Sequence, residues 1–465
     1  MIPESPPGRL SEEGSTLIRV RTSGRWQSIW VAGIVILLVT LPGMALAAEE
    51  ATLETLEKKM IEGVSVGDLV AYAYRANPSV QSAREAWKAV IERYRLETAY
   101  PDPELSSAYY PKPLMALYEM MVSQTIPFPG KLSKAGEVVE AESQMARLEL
   151  DKALRDVIVG IRESYHELLY IKDAKKVVAL TRDLLEHLRK VGETAYAQDR
   201  AAFFDVVKAQ SQLAQLQYDA VLLEDLEQTE KAQLNSLLNR PPGSEVKLLE
   251  AESLPPVIYK LDEIYQLAGK YQEEIRIAET QVTKTRVKVG LAKYENLPSF
   301  RVGLSYAKGN PDMVLPEFRD SVGVQFGLSI PLWFNKNTGR LQEARAEEQK
   351  ALSMKATQIN QTHAMIRTVY FRLQNSERLI RLYRDQLLPQ AARAMEVAET
   401  WFREKQGSFS DFIETEAVYY NFQLSLARAK ADYGKYLAQI ERLCGLSLTR
   451  KMENGSGKSP EEGPR

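Results

Sequence analysis

Few residues in this 465-residue chain are suited to covalent or metal chemistry, and their spacing works against it. The three histidines are His166, His187 and His363. His166 and His187 fall on one predicted helix roughly six turns apart, so that helix holds them away from each other rather than on one metal. Met115, Met120 and Met121 have the softness for a metal relay, but methionine also fills lipid-facing and loop positions. Cys444 is the single cysteine, so no intrachain disulfide can form. There is no phosphate-binding glycine loop, no nucleophile beside a base and no paired-carboxylate site. No catalytic residue, cofactor or metal is expected.

The order in the sequence lies elsewhere, in alternation. Phe300, Val302, Leu304 and Tyr306 alternate with Arg301, Gly303 and Ser305. After a loop with Gly309-Asn310-Pro311-Asp312, Val322, Val324, Phe326, Leu328 and Ile330 alternate with Ser321, Gly323, Gln325, Gly327 and Ser329. Large apolar residues on one side and small or polar ones on the other are the pattern of a strand with lipid on one face. Each run is near the 9–11 residues that a tilted strand needs to cross a bilayer. If the apolar set meets lipid, Arg301, Ser305, Gln325 and Ser329 line a lumen. A weaker hairpin, Glu104 to Tyr110 and Tyr118 to Ile126, precedes an equivalent Ile126-Pro127-Phe128-Pro129-Gly130-Lys131. Four strands cannot close a membrane barrel, so several copies must contribute: two with eight strands or three with twelve.

The chain is a duplication. Pro103 and Pro298, Ile126 and Ile330, Tyr165 and Tyr370, Asp205 and Asp411, and Leu237 and Leu443 recur roughly two hundred residues apart. The first repeat spans 66–240, with its hairpin at 103–126 and a helix reversal at 195–205. A proline-rich connection occupies 241–261, where Pro241, Pro242, Pro255 and Pro256 forbid a continuous helix. The second repeat spans 262–448, with its hairpin at 298–330 and its reversal at 401–411. Lys131 to about Thr194 reads as one helix of roughly 95 Å. Arg340 to about Thr400 reaches nearly as far, with a kink expected at Pro389. After each reversal runs a coiled-coil stripe: Val206, Ala209, Leu213, Leu216, Ala220 and Leu223, then Phe412, Thr415, Tyr419, Phe422, Leu426, Ala429, Tyr433, Tyr436, Ile440 and Leu443.

Residues 1–47 read as a signal peptide: Arg19, Arg21 and Arg25 precede the apolar run Ile29 to Leu41, and Ala45-Leu46-Ala47 offers a cleavage site. A retained membrane anchor is the other reading of that run. Residues 48–65 form a linker and 449–465 a disordered tail. Hydrophobic residues make up 45% and charged residues 26%, and the net charge of −2 gives no reason to expect a nucleic-acid partner.

With Ser123-Gln124-Thr125-Ile126-Pro127-Phe128-Pro129-Gly130-Lys131, the segments from Leu388-Pro389-Gln390-Ala391 to Leu443-Cys444-Gly445-Leu446 and the duplication itself, the chain resembles the TolC-like outer-membrane efflux proteins over roughly Val66 to Leu448. The resemblance implies a mainly α fold with a membrane β-barrel. In it a homotrimer shares twelve strands in the outer membrane of a Gram-negative bacterium and an α-helical coiled-coil barrel in the periplasm. It further implies a passive exit duct of a tripartite (RND-type) efflux or secretion system, partnered by a periplasmic adaptor protein and an inner-membrane pump. The Pro-Phe-Pro-Gly-Lys hairpin end is most similar to the heavy-metal exporter subgroup.

The reversals then become the periplasmic tip. Some members line its entrance with two acidic residues one helical turn apart, and Asp411 and Glu414 match them, with Asp205 the first-repeat counterpart of Asp411. Rings of carboxylate around a narrow axis repel anions and attract cations. The plainer reading is that Asp411 caps a helix whose first turn Glu414 completes. The glycine often found six residues before the aspartate is replaced by Asp199 and Lys405, with Gly407 later. The rival to the whole reading is a periplasmic coiled-coil adaptor or structural protein held by an uncleaved N-terminal helix.

Overall fold

The computed structural model describes residues 53–111, 116–197, 203–249, 254–309, 320–404 and 408–449. The expected signal peptide, the loop residues Met115, Asn310, Pro311 and Asp312, the tip residues Asp199, Lys405 and Gly407, and the tail beyond Thr449 lie outside them. Lys58–Arg465 groups as one unit. Its first half comprises α1 (Val66–Ala76), α2 (Pro78–Thr98), β1 (Glu104–Tyr109), β2 (Ala116–Ile126), α3 (Lys131–Ala197) and α4 (Phe203–Leu237). Its second comprises α5 (Leu261–Tyr271), α6 (Glu273–Glu295), β3 (Ser299–Gly309), β4 (Asp320–Ser329), α7 (Phe334–Leu382), a π-helical turn (Tyr383–Leu387), α8 (Leu388–Arg403) and α9 (Phe409–Cys444).

Both halves start with the same step. Ser65 and Asp68 form a capping box that opens the 11-residue α1. One residue then breaks the chain direction: Asn77, whose side chain accepts from Ser79 N at 2.9 Å and Val80 N at 3.2 Å and so caps α2. In the second half the 11-residue α5 ends at Gln272, whose side chain accepts from Ile275 N at 2.7 Å to start α6. Asn77 also donates through Nδ2 to Leu237 O at 2.8 Å, tying the start of α2 to the end of α4.

The four strands make one antiparallel sheet in the order β1-β2-β3-β4. Helix packing repeats that order: α2 lies on α3, α3 on α6, and α6 on α7. Each strand therefore continues a helix in the same lateral position. Further along α3 the neighbours change to α4 on one side and α9 on the other, with α9 backed by α7 and α8. Thus β1, α2 and α4 form one free edge of the sheet of elements, and β4, α7 and α8 the other.

The α3 rod runs unbroken for 67 residues, about 100 Å at ~1.5 Å per residue. Its counterpart begins at Phe334 and meets Pro389 differently from the expected simple kink. A single π turn, closed by Leu388 N–H to Tyr383 O, precedes Pro389 and absorbs the donor that proline lacks. The α4 stripe packs as anticipated, with Val206, Ala209, Leu216 and Leu223 buried. On α9 a single stripe is too little. Phe412, Ala429, Tyr433, Ile440 and Leu443 are buried, but so are Ile413, Glu416, Ala427, Ala431, Gly434 and Ala438. The reason is that α9 is buried on two sides, by α3 and by α7 with α8.

Small residues let α3 and α9 approach closely. A Cβ added at Gly434 would lie 2.4 Å from the His166 ring. Charge pairs line the same seam: Arg428 and Lys435 with Glu167, Arg162 with Glu441, and Arg442 with Asp156. At the end of α9, Gly445 adopts φ 78° and closes the helix with a left-handed residue.

Candidate functional site: strand faces and helical tip

Register assigns every strand residue to a face. Phe300 pairs with Leu328, Val302 with Phe326, Leu304 with Val324 and Tyr306 with Val322. Across the other ladder, Ile126, Val122 and Met120 stand opposite Phe300, Leu304 and Tyr306. These side chains form one apolar surface, and it is bare in the single chain: Phe326 is 78% exposed and Val322 71%. A solvated protein rarely leaves so large an apolar patch open. On the opposite face Arg301 pairs with Gly327, Gly303 with Gln325, Ser305 with Gly323 and Ser299 with Ser329. Arg301, Ser305, Gln325 and Ser329 therefore share the polar face, where Glu104 of β1 lies 3.9 Å from Arg301. Met120 and Met121 alternate between the two faces, so one chain does not bring them to a common ligand.

Apolar side chains continue past β4 as Ile330, Leu332, Trp333 and Phe334, all exposed. Aromatic residues at the end of a lipid-facing strand suit the membrane–water boundary. No helix among the described residues is long and apolar enough to cross a membrane.

At the far end of the rods, the Phe402 ring lies 5.2 Å from Phe409 and 6.5 Å from Phe412, closing the second reversal with an apolar core. Ser408, not Asp411, caps α9: its Oγ accepts from Asp411 N at 3.1 Å. Asp411 sits three residues into the helix, where a backbone N–H is still free to be capped and its carboxylate stays exposed. Glu414 turns to the other repeat. Lys208 of α4 donates to Glu414 Oε1 at 2.5 Å and to Ser410 Oγ at 2.8 Å. Higher up, Tyr420 OH donates to Asp219 Oδ2 at 3.2 Å, again from α9 to α4. Asp205 belongs to α4, but its side chain lies outside the described residues.

Lys208, Tyr420 and Asp219 were not singled out in the sequence. A signal for the first existed: Lys208 and Glu414 are 206 residues apart, the same separation as Asp205 and Asp411. Equivalent positions of the two repeats thus carry opposite charges that meet.

Two of the histidines pack against aromatic rings. His166 packs edge-on to Tyr165, and burial lowers its pKa to about 4, helped by Arg162 and Lys435. His363 lies against Tyr265. Burial raises the Cys444 thiol to about 12, leaving it an unreactive core group. No group of three or more His, Cys, Asp or Glu side chains suited to a metal occurs among the described residues.

Residues 264–446 match the family model described as outer membrane efflux protein. Over 311 residues the chain is 24% identical to the pyoverdine export outer membrane protein OpmQ of Pseudomonas aeruginosa, an alignment covering 62% of this chain and 63% of that relative. The chain therefore spans somewhat less than two thirds of the curated relative it matches. Among solved structures, VceC of Vibrio cholerae superposes with a TM-score of 0.69 at 16% identity, covering 82% of this chain and 96% of that one. The outer-membrane channel OprN superposes with a TM-score of 0.69 at 18% identity, covering 85% and 93%. With the duplicated hairpin-and-rod plan, the match of residues 264–446 to the family model and the shared fold, the chain is similar to outer membrane efflux proteins in its second repeat and has the fold of VceC and OprN.

Proposed function

We propose that this protein is the outer-membrane channel subunit of a tripartite efflux or secretion system, a passive duct assembled from three copies. The observation that carries this reading is the pair of free edges. The edge of β1, α2 and α4 is unlike the edge of β4, α7 and α8, so copies associate head to tail, and such contacts close into rings. Unpaired strand edges favour that closure, because backbone groups in a bilayer must all be bonded. Three copies supply twelve strands. Arg301, Ser305, Gln325 and Ser329 then line the lumen, and the exposed apolar face meets lipid. Energy and cargo choice belong to an inner-membrane pump reached through a periplasmic adaptor. The export of pyoverdine by OpmQ and the heavy-metal subgroup suggested by the hairpin end point to different cargos. No residue of the strand faces favours either.

The reading is tested on the mature protein extracted in detergent and inserted into planar bilayers. A mass of three chains by light scattering and discrete ionic conductance are expected. A monomer or dimer without conductance would overturn it in favour of the anchored coiled-coil adaptor.

In this reading the tip is closed by contacts between the repeats, with Lys208–Glu414 and Tyr420–Asp219 as the inter-repeat ties and Asp411 as an exposed carboxylate at the entrance. Glu414 is 66% exposed, so a single tie contributes no more than roughly 1 kcal/mol. Three copies multiply the effect. Lys208→Glu, which sets like charges against each other, is expected to raise the open fraction by about tenfold in single-channel records, for roughly 1.4 kcal/mol in total. Conductance unchanged by both Lys208→Glu and Asp219→Asn would remove these ties from the gate.

A further inference from the structure

We propose that Glu416 is a proton-operated latch of the tip: protonated, it stays buried between α9 and α3 and holds the start of α9 down, and on losing its proton it loosens that packing. This rests on the tip acting as a gate, and it assigns that gate a sensitivity to pH.

The geometry comes first. Glu416 is 2% exposed and lies two turns into α9, on the side that carries Phe409, Phe412 and Ile413. Those three are buried in a cluster with Val178, Leu185, Ala209 and Leu216 from α3 and α4. A carboxylate in such surroundings needs a cation or several donors. Glu416 has the hydroxyl of Thr181 on α3, itself 6% exposed, and no ion pair among the described residues. The other groups around this stretch do not neutralise it. On α9, Tyr420 stands one turn further on, and its hydroxyl is engaged with Asp219 of α4, a like charge. From α3, Tyr170 approaches Tyr420 as a neutral ring. The nearby cation of α4, Lys208, is already bonded to Glu414 and Ser410 on an exposed side of α9. From α8 come Met395, Ala398 and Phe402, without charge.

Burial accordingly pushes the Glu416 carboxyl up from 4.5 to about 7, opposed only by the Thr181 hydrogen bond. The sign follows. Below 4.5 the carboxyl is protonated in both the packed and the loosened tip, and pH has no effect. Between 4.5 and about 7 only the loosened tip ionises, so packing weakens as pH rises, and above about 7 the loss is complete. The latch is set in acid and released in neutral to alkaline medium.

The test is hydrogen exchange on the full detergent-solubilised protein from pH 5 to pH 8, corrected for the intrinsic rate. Amides of Phe409–Leu424 are expected to open at least tenfold more at pH 8 than at pH 5, while those of Ala427–Cys444 stay constant. Glu416→Gln should keep the low-pH protection across the range. Thr181→Val, which removes the opposing hydrogen bond, should move the midpoint to higher pH, a shift that a merely structural role would not produce. If Glu416→Gln does not fold, that midpoint decides. Protection independent of pH in the unaltered protein, or an unmoved midpoint in Thr181→Val, would overturn the latch. Conductance of the same preparation separates the two ideas: a conducting channel without the exchange profile refutes only the latch, and a non-conducting protein with it refutes only the channel.

Discussion

Phe326→Lys is expected to abolish accumulation of the assembled protein in the outer-membrane fraction, and Val324→Lys to do nearly the same. Phe326 is 78% exposed and Val324 63%, on the face shared with Val302 and Leu304. A lysine near the bilayer midplane of a lipid-facing strand costs about 2–4 kcal/mol, and the proposed trimer would carry it three times. The total, roughly 6–12 kcal/mol, is comparable to the whole stability of an ordinary domain. The control is one residue away. Gln325 points to the opposite face, so Gln325→Lys should assemble normally and change only ion selectivity. Heat-resistant trimer on gels of membrane fractions reads both outcomes. Equal assembly of Phe326→Lys and Gln325→Lys would show that the two faces do not meet different media.

Gly445→Ala is expected to lower the thermal stability of the helical part by roughly 2–5 kcal/mol. Two effects add. Gly445 has φ 78°, a conformation that costs an L residue about 1–2 kcal/mol. A Cβ there would also lie 2.4 Å from Tyr271 O and 2.9 Å from Gln272 N. These are backbone atoms at the break between α5 and α6, unable to swing aside as a side chain would, and overpacking of this kind costs about 1–3 kcal/mol. The site matters because Ile264, Ala268, Leu437, Ile440 and Leu443 form one core there, joining the start of the second repeat to its end. Circular dichroism melts of the detergent-solubilised protein measure the loss. Gly243→Ala serves as the control, since a Cβ at Gly243 would meet no atom within 4 Å.

These two sites differ in how readable they were. The strand faces follow from the sequence because alternation is local: once Phe300 faces one way, Val302 and Leu304 must face the same way. The duplication and the long rods were legible for a similar reason, as they rest on spacing along the chain. The sequence also placed Pro389 at a break in helical hydrogen bonding. It misassigned the cap of α9, because Ser408 and Asp411 are both good caps and only the backbone path chooses between them.

The lateral order of helices, and everything that depends on it, came from the tertiary structure alone. Lys208 meets Glu414, and Tyr420 meets Asp219, across about two hundred residues of chain, and no local period records which helix docks beside which. The α9 stripe reads as one seam because a heptad pattern describes a helix with one partner. With α3 on one side and α7 and α8 on the other, α9 buries residues that the pattern leaves out. Glu416 is the clearest case. By sequence it is one of many charged residues on a long helix, and only the docking of α3 turns that position from solvent to core.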